Sequence, residues 1–383
     1  MSTHSFFAVS PPGIEAITAG ELISLDQTAD LQMSLSDIKP EEGGVSFRGT
    51  WRDGMIANIA LRTASRVLYR LSSFHASHFN QLIKQVSALK WEEYVDPLSP
   101  VSVRVTCKKS KLYHSDAVAE RVCEGIQKRL QRKISIEPWS DTVDFPPQLI
   151  IVRLIRDQCS ISLDMSGAPL YHRGYRKETA KAPLREHLAA AMILSSGWDK
   201  KSPLVDPFCG SGTFLIEAAL LARNQAPGLD RSFSVERWPV LDVDKQALSE
   251  ILKSQILTST EWILLGYDRD QGAVEIAQRN AARGKVDTWI HFQRQAISDF
   301  KPSENPGWII TNPPYGLRVS PSKDLRNLYA RFGDVLRKDF SGWHVMVLTS
   351  DPGLIRMMKI PFERAIQFEN GGLRVQAFSG LLG

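Results

Sequence analysis

The stretch Ile309-Ile310-Thr311-Asn312-Pro313-Pro314-Tyr315 sets an amide, two prolines and a phenol directly behind an apolar run. Proline withholds a backbone donor and fixes φ, so a buried strand stops at Thr311 and the corner after it is stiff. An exocyclic amine on a nucleobase is a weak nucleophile, because its lone pair is delocalised into the ring. The side-chain oxygen of Asn312 and the carbonyl of Pro313 can each accept one of its N–H bonds and so orient the nitrogen for attack on a methyl donor. Tyr315 offers a face on which an extruded base can stack. A mere strand terminator would account for the prolines but not for the Asn and Tyr beside them.

A second cluster is Pro203-Leu-Val-Asp206-Pro-Phe208-Cys-Gly210-Ser-Gly212-Thr213, followed by an apolar helix-like run. An acid at a strand tip, a glycine turn and a helix start describe the first βα crossover of a nucleotide-type fold. Leu215 stands where a dinucleotide fingerprint would want a third glycine. That favours a ligand without a pyrophosphate, such as S-adenosylmethionine (SAM). The next strand ends in Asp268, placed to hold a ribose, while Asp270 suits the cap of the following helix. For the adenine the candidates are Gln295 and Asp299. The four cysteines, Cys107, Cys123, Cys159 and Cys209, are scattered without a C-x-x-C pair, so neither a disulfide framework nor a metal site is expected.

These residues must be positioned by a larger frame. From residue 202 on, the strand-like runs 202–206, 261–268, 288–292, 307–312 and 344–350 alternate with helical patterns, which argues for a parallel sheet with helices on both faces. The tail breaks this rhythm. Two extended segments around Asn370-Gly371-Gly372 read as an antiparallel hairpin at the sheet edge. Residues 226–260 read as an insertion carrying one helix. Before residue 180 the pattern is mixed: strand-like 101–107 and 149–165 bracket a helix over 116–133, with Ser115 as its cap and Val118, Val122, Ile126 and Leu130 on one stripe.

The chain of 383 residues carries a net charge of +5, unevenly placed: −5 over residues 1–60, +7 over 61–180 and +3 thereafter. A basic middle segment suits a polyanionic partner. Lys108, Lys109 and Lys111, interleaved with Tyr113 and His114, are candidates for phosphate contacts, as are Arg129 and Arg132 at the helix end. The dipole of that helix would also favour cations there without any ligand. No apolar run approaches a membrane span and the N-terminus lacks the pattern of a signal peptide, so a cytoplasmic protein with no membrane partner is expected. Nor does any feature call for an obligate protein partner.

The DPFCGSGT and NPPYG motifs together resemble those of amino-methyltransferases of the class I SAM-dependent fold. Residues 165–194 look like the junction between a THUMP domain and its methyltransferase, and 61–74 and 107–122 look like the THUMP region itself. The resemblance is closest to the bacterial 23S rRNA guanine-N2 methyltransferases of the RlmL and YpsC type. It implies an α/β chain: an N-terminal ferredoxin-like segment (1–60), a THUMP RNA-binding domain (61–165), a linker and leading helix (166–200), and a Rossmann-like methyltransferase domain (201–383). It also implies that Asp206, Phe208, Gly210, Gly212 and Thr213 line the SAM site with Asp268 on the ribose, and that Asn312, Pro313 and Tyr315 hold the guanine. The family commonly has Asp where Gln295 stands. The expected reaction is methyl transfer to guanine N2 in RNA, 23S rRNA first and tRNA as the alternative. The corner would serve adenine N6 in DNA equally well, and an RNA chaperone with a relic fold is the non-enzymatic alternative.

Overall fold

A computed structural model of the chain describes residues 2–140, 146–178, 184–258, 263–302, 306–315 and 322–383. Its first half contains β1 (His4–Val9), α1 (Glu15–Asp26), β2 (Ser36–Glu41), β3 (Gly44–Gly49), α2 (Trp51–Ala60), β4 (Arg66–His75), α3 (Phe79–Ser87), β5 (Val101–Lys108), α4 (Ser115–Leu130), β6 (Gln148–Ile155) and β7 (Gln158–Asp164). These strands form one seven-stranded sheet in the order β2-β3-β1-β4-β7-β6-β5. β4 pairs with β1 on one side and β7 on the other, so a single sheet runs through the expected junction at residues 60 and 61. An aromatic cluster of Trp51, Tyr69 and Tyr94 packs beneath it, with ring centroids 4.8 to 6.5 Å apart.

Two local expectations change. The run 149–165 is not one strand but a hairpin, turning at Arg156 and Asp157 with φ of +51° and +61°. The turn needs no glycine because Asp157 is held from outside: its carboxylate accepts from the Lys111 N–H at 2.7 Å and its own N–H donates to Ser110 Oγ at 3.0 Å. The helix α4 starts after His114, so Ser115 lies inside it and makes no capping bond. Gln131 in the left-handed region ends it before Arg132. Of its stripe, Val118, Val122 and Ile126 are fully buried, while Leu130 at the helix end is only partly so.

The second half contains α5 (Glu186–Ser195), β8 (Leu204–Asp206), α6 (Thr213–Ala222), α7 (Lys245–Ser254), β9 (Leu264–Asp268), α8 (Gln271–Arg283), β10 (Ile290–Arg294), β11 (Trp308–Thr311), α9 (Ser322–Asp339), β12 (His344–Thr349), α10 (Pro352–Met357), β13 (Glu363–Asn370) and β14 (Leu373–Leu381). The sheet order is β10-β9-β8-β11-β12-β14-β13, with the first five strands parallel and the β13–β14 hairpin antiparallel at the edge. Gly371 and Gly372, at φ of +58° and +82°, make its tip. Strands β8, β9 and β10 advance in one direction, and β11 then starts on the other side of β8. Such a reversal opens a crevice beyond the carboxyl ends of the two strands, which is where α/β sheets bind ligands.

The two halves are closely joined. The segment after α6 is more than an insertion: Phe233, Val235, Trp238, Leu248 and Leu252 enter the hydrophobic core of the N-terminal sheet. Trp238 completes the aromatic cluster, edge-on to Trp51 at 5.8 Å, and its Nε1 donates to Gln148 Oε1 at 2.7 Å. Arg62, just after α2, is buried and donates to the carbonyls of Leu220 and Gln225 at 3.3 and 2.8 Å. On the far side Gly13 (φ +100°) presses on β13, where an added Cβ would lie 1.8 Å from the Gln367 carbonyl oxygen.

Candidate active site

Asp206 ends β8 and is 1% exposed. Thr311, the last residue of the neighbouring β11, donates its hydroxyl to Asp206 Oδ1 at 2.6 Å, and the Phe208 N–H donates to the same oxygen at 3.1 Å. Burial nevertheless dominates. It pushes the Asp206 carboxyl up to about 7, helped by the Asp268 charge and opposed by those two hydrogen bonds. Burial also raises the Cys209 thiol well above its ordinary value, with Asp206 and Asp268 adding to the effect.

The turn after Asp206 is tied to the next strand. Asp268 accepts from the Gly210 N–H and the Asp270 N–H, each at 3.0 Å, which fixes its carboxylate at the tip of β9. Asp270 caps α8 by accepting from the Gly272 N–H at 2.9 Å, the ordinary structural role. Gly210 and Gly212 take φ of +51° and +82°, conformations that suit glycine. At Gly212 an added Cβ would meet Phe292 Cζ at 3.0 Å and Ala277 Cβ at 3.1 Å, so this position serves helix–sheet packing.

β11 ends at Thr311, directly before the prolines, and no regular element continues through residues 312–315. The Asn312 side-chain oxygen is buried and has no hydrogen-bond partner among the described residues. A buried amide oxygen left unmatched costs about 1–3 kcal/mol. Tyr315 is half-buried between two hydrophobic clusters. Burial raises its hydroxyl above the ordinary phenol value, and the Asn370 side chain at the hairpin tip opposes that shift.

Both motifs open onto one cleft of about 400 Å³. Asp206, Phe208, Gly210, Thr213, Asp268 and Gln295 line one part of it, and Asn312, Pro313 and Tyr315 line another. Of the candidates for this region, Gly212 and Asp299 stand outside the lining. Gln295 reaches the cleft while its Nε2 donates to the Asp299 carbonyl at 2.6 Å, which orients the amide. Several wall residues had no sequence signal of their own. Ala296 and Ile297 merely follow the tip of β10, a position that the parallel topology would have flagged, whereas Leu184 and Leu328 arrive from outside the strand ends. The contact of Thr311 with Asp206 depends on neighbours distant in sequence.

The basic candidates divide. Lys108, Lys109 and Lys111 are exposed around the end of β5, beside Tyr113, which is 67% exposed. The loop is rigidly set by the Lys111 bond to Asp157. Arg129 is engaged instead, gripping both carboxylate oxygens of Glu92 at 3.0 and 2.5 Å and holding that acid down at about 2. Arg132 donates to the Pro97 carbonyl at 3.1 Å.

An acidic strand tip, a glycine turn and an amide–proline corner around the switch point of a parallel sheet define a methyltransferase of the Rossmann-like class. Comparison with known proteins gives the family. Residues 173–376 match the RMKL-like methyltransferase domain, 5–68 the RlmL ferredoxin-like domain and 76–164 the THUMP domain. The chain belongs to this family. It is 34% identical over 96% of its length to the ribosomal RNA large subunit methyltransferase K/L of Syntrophotalea carbinolica, of which it spans only 52%. It is 32% identical over 97% of its length to slr0064 of Synechocystis sp., assigned as an RNA methyltransferase, and covers 95% of that protein. The fold superposes on SMU.472, assigned as a methyltransferase and solved in complex with SAH, with a TM-score of 0.86 and 30% identity over 100% of this chain and 99% of that one.

Proposed function

We propose that the protein transfers the methyl group of SAM to the exocyclic N2 amine of a guanine in RNA, with 23S rRNA as substrate and tRNA as the alternative. The observation that carries this reading is the shared cleft: Asn312, whose buried amide oxygen has no partner among the described residues, lines the same space as Asp206 and Asp268. The residues present fit SAM, which supplies an electrophilic methyl on a sulfonium. The buried Asp206 carboxyl gains a cation to pair with, Asp268 is oriented for a ribose diol, and Gln295, Ala296 and Ile297 offer an amide and apolar surface for a purine.

On the substrate side, the Asn312 oxygen and the Pro313 carbonyl accept the two amine protons, so the nitrogen lone pair points toward the methyl group. Tyr315 stacks on the base. No strong base is required if the proton leaves after transfer. The THUMP match and the basic charge of residues 61–180 support RNA over DNA. Replacing Asn312 by Ala tests the assignment. Methyl transfer should fall about 10²–10³-fold, the usual loss of one oriented polar partner in a transition state, while calorimetric SAM binding stays intact. Unchanged transfer would refute it.

A further inference from the structure

The strand register of the first sheet sorts its side chains into two faces. Pairing aligns Lys108, Ile155, Gln158 and His75 across β5, β6, β7 and β4. The next row is Thr106, Arg153, Ser160 and Ser73, and the third is Arg104, Ile151, Ser162 and Arg70. Directly paired residues share a face. The intervening positions, such as Val105, Val152 and Ile161, face the other way into the core formed with α3 and α4. A bulge in β4 between Arg70 and Ser72 matters here. Residues three apart in a regular strand point to opposite faces, and the extra residue returns Arg70 and Ser73 to the same one.

The three rows carry Lys108, Arg153, Arg104 and Arg70, a histidine, hydroxyls and an amide, with no carboxylate among them. All four cationic side chains are exposed. Arg70 is tethered to Glu41 at 2.9 Å and Arg104 lies 5.5 Å over Trp139, at the margin of the grid. Lys108 and Arg153 have no ion-pair partner among the described residues. A protein partner would want an apolar centre, and only Ile151 and Ile155 could provide one. A sugar–phosphate backbone wants what is present: spaced cations for phosphates, with hydroxyl and amide groups between them for 2′-hydroxyls.

We infer that this open face of β4, β5, β6 and β7 is the surface on which substrate RNA lies, with Arg153 and Lys108 as its principal phosphate contacts. The inference rests on the RNA reading above and names a surface different from the end of α4, whose Arg129 is already neutralised by Glu92. The bond between Asp157 and the Lys111 N–H holds the loop of Lys109 and Lys111 at the end of the same face, extending its charge.

The test is the double variant Lys108→Ala/Arg153→Ala in the full chain, titrated against a short fluorescein-labelled RNA hairpin over a KCl series. Calorimetric binding of S-adenosylhomocysteine serves as the check on folding. The variant should bind RNA at least about tenfold more weakly, and the slope of log K on log[KCl] should become shallower by about two, one per lost phosphate contact. Cofactor binding should not move. The variant Lys84→Ala, on α3 behind the sheet, should leave the slope unchanged. An unaltered slope in the double variant overturns the proposed surface while leaving RNA as substrate. Failure of the unmodified chain to bind RNA at any salt overturns the RNA reading itself.

Discussion

Replacing Asp206 by Asn should change how the stability of the protein depends on pH. In the native chain the Asp206 carboxyl sits at about 7, against 3.8 for an ordinary Asp. Between these values the native state holds a proton that the unfolded chain has released. Stability therefore falls as pH rises through this window and levels off above about 7. Integrating the two titrations from about pH 4.5 to about pH 8, at about 1.4 kcal/mol per unit, gives a loss of about 3 kcal/mol from this one group. Asn keeps a carbonyl oxygen to accept from Thr311 and Phe208 but cannot ionise. The assay is urea unfolding of both proteins across this range, without cofactor. Other raised carboxyls such as Glu186, also at about 7, contribute equally to both profiles and cancel in the difference. The gap in favour of Asp206→Asn should widen by about 3 kcal/mol on going to alkaline pH, and the variant should bind SAM less well. Parallel pH profiles would show that Asp206 is already ionised in the folded protein and would refute the argument.

Other outcomes follow from the same geometry. Because cationic SAM favours the ionised Asp206, its binding near pH 7 should release a fraction of a proton, seen as a buffer-dependent heat in calorimetry and absent in Asp206→Asn. Gly13→Ala should lower the unfolding free energy measured in urea by at least about 2 kcal/mol, since the new methyl would collide with the Gln367 carbonyl at a φ of +100°; an unchanged value would contradict this close approach between the two halves. The neutral pair Glu92→Gln/Arg129→Gln should leave RNA affinity and its salt slope as they were, because the two charges already cancel.

What was legible in the sequence was local. The corner and the glycine turn announce themselves because proline and glycine act on their own backbone, and because an acid at a strand tip has few structural uses. The alternation of strands and helices after residue 202, and the edge hairpin, also follow from short-range pattern. Relations between distant segments were not legible. Nothing around Trp238 says that it packs on Trp51, so residues 226–260 read as an insertion when several of them complete the core of the N-terminal sheet. Arg129 reads as a free cation until Glu92, far back in the chain, is placed beside it. The hairpin over 149–165 was hidden because its turn has no glycine and is stabilised by Ser110 and Lys111 from another strand's end. The meeting of both motifs in one cleft depends on the strand order reversing between β8 and β11, a property of topology that no single segment encodes.

The central claim is methyl transfer to the N2 amine of guanine in RNA, and product analysis tests it most directly. Ribosomal and transfer RNA from a strain lacking the gene would be incubated with the purified chain and isotopically labelled SAM, digested to nucleosides and resolved by mass spectrometry. The account predicts label in N2-methylguanosine, from 23S rRNA, and none when Asn312 is Ala. Label in another nucleoside, or in DNA N6-methyladenine with RNA untouched, would contradict it.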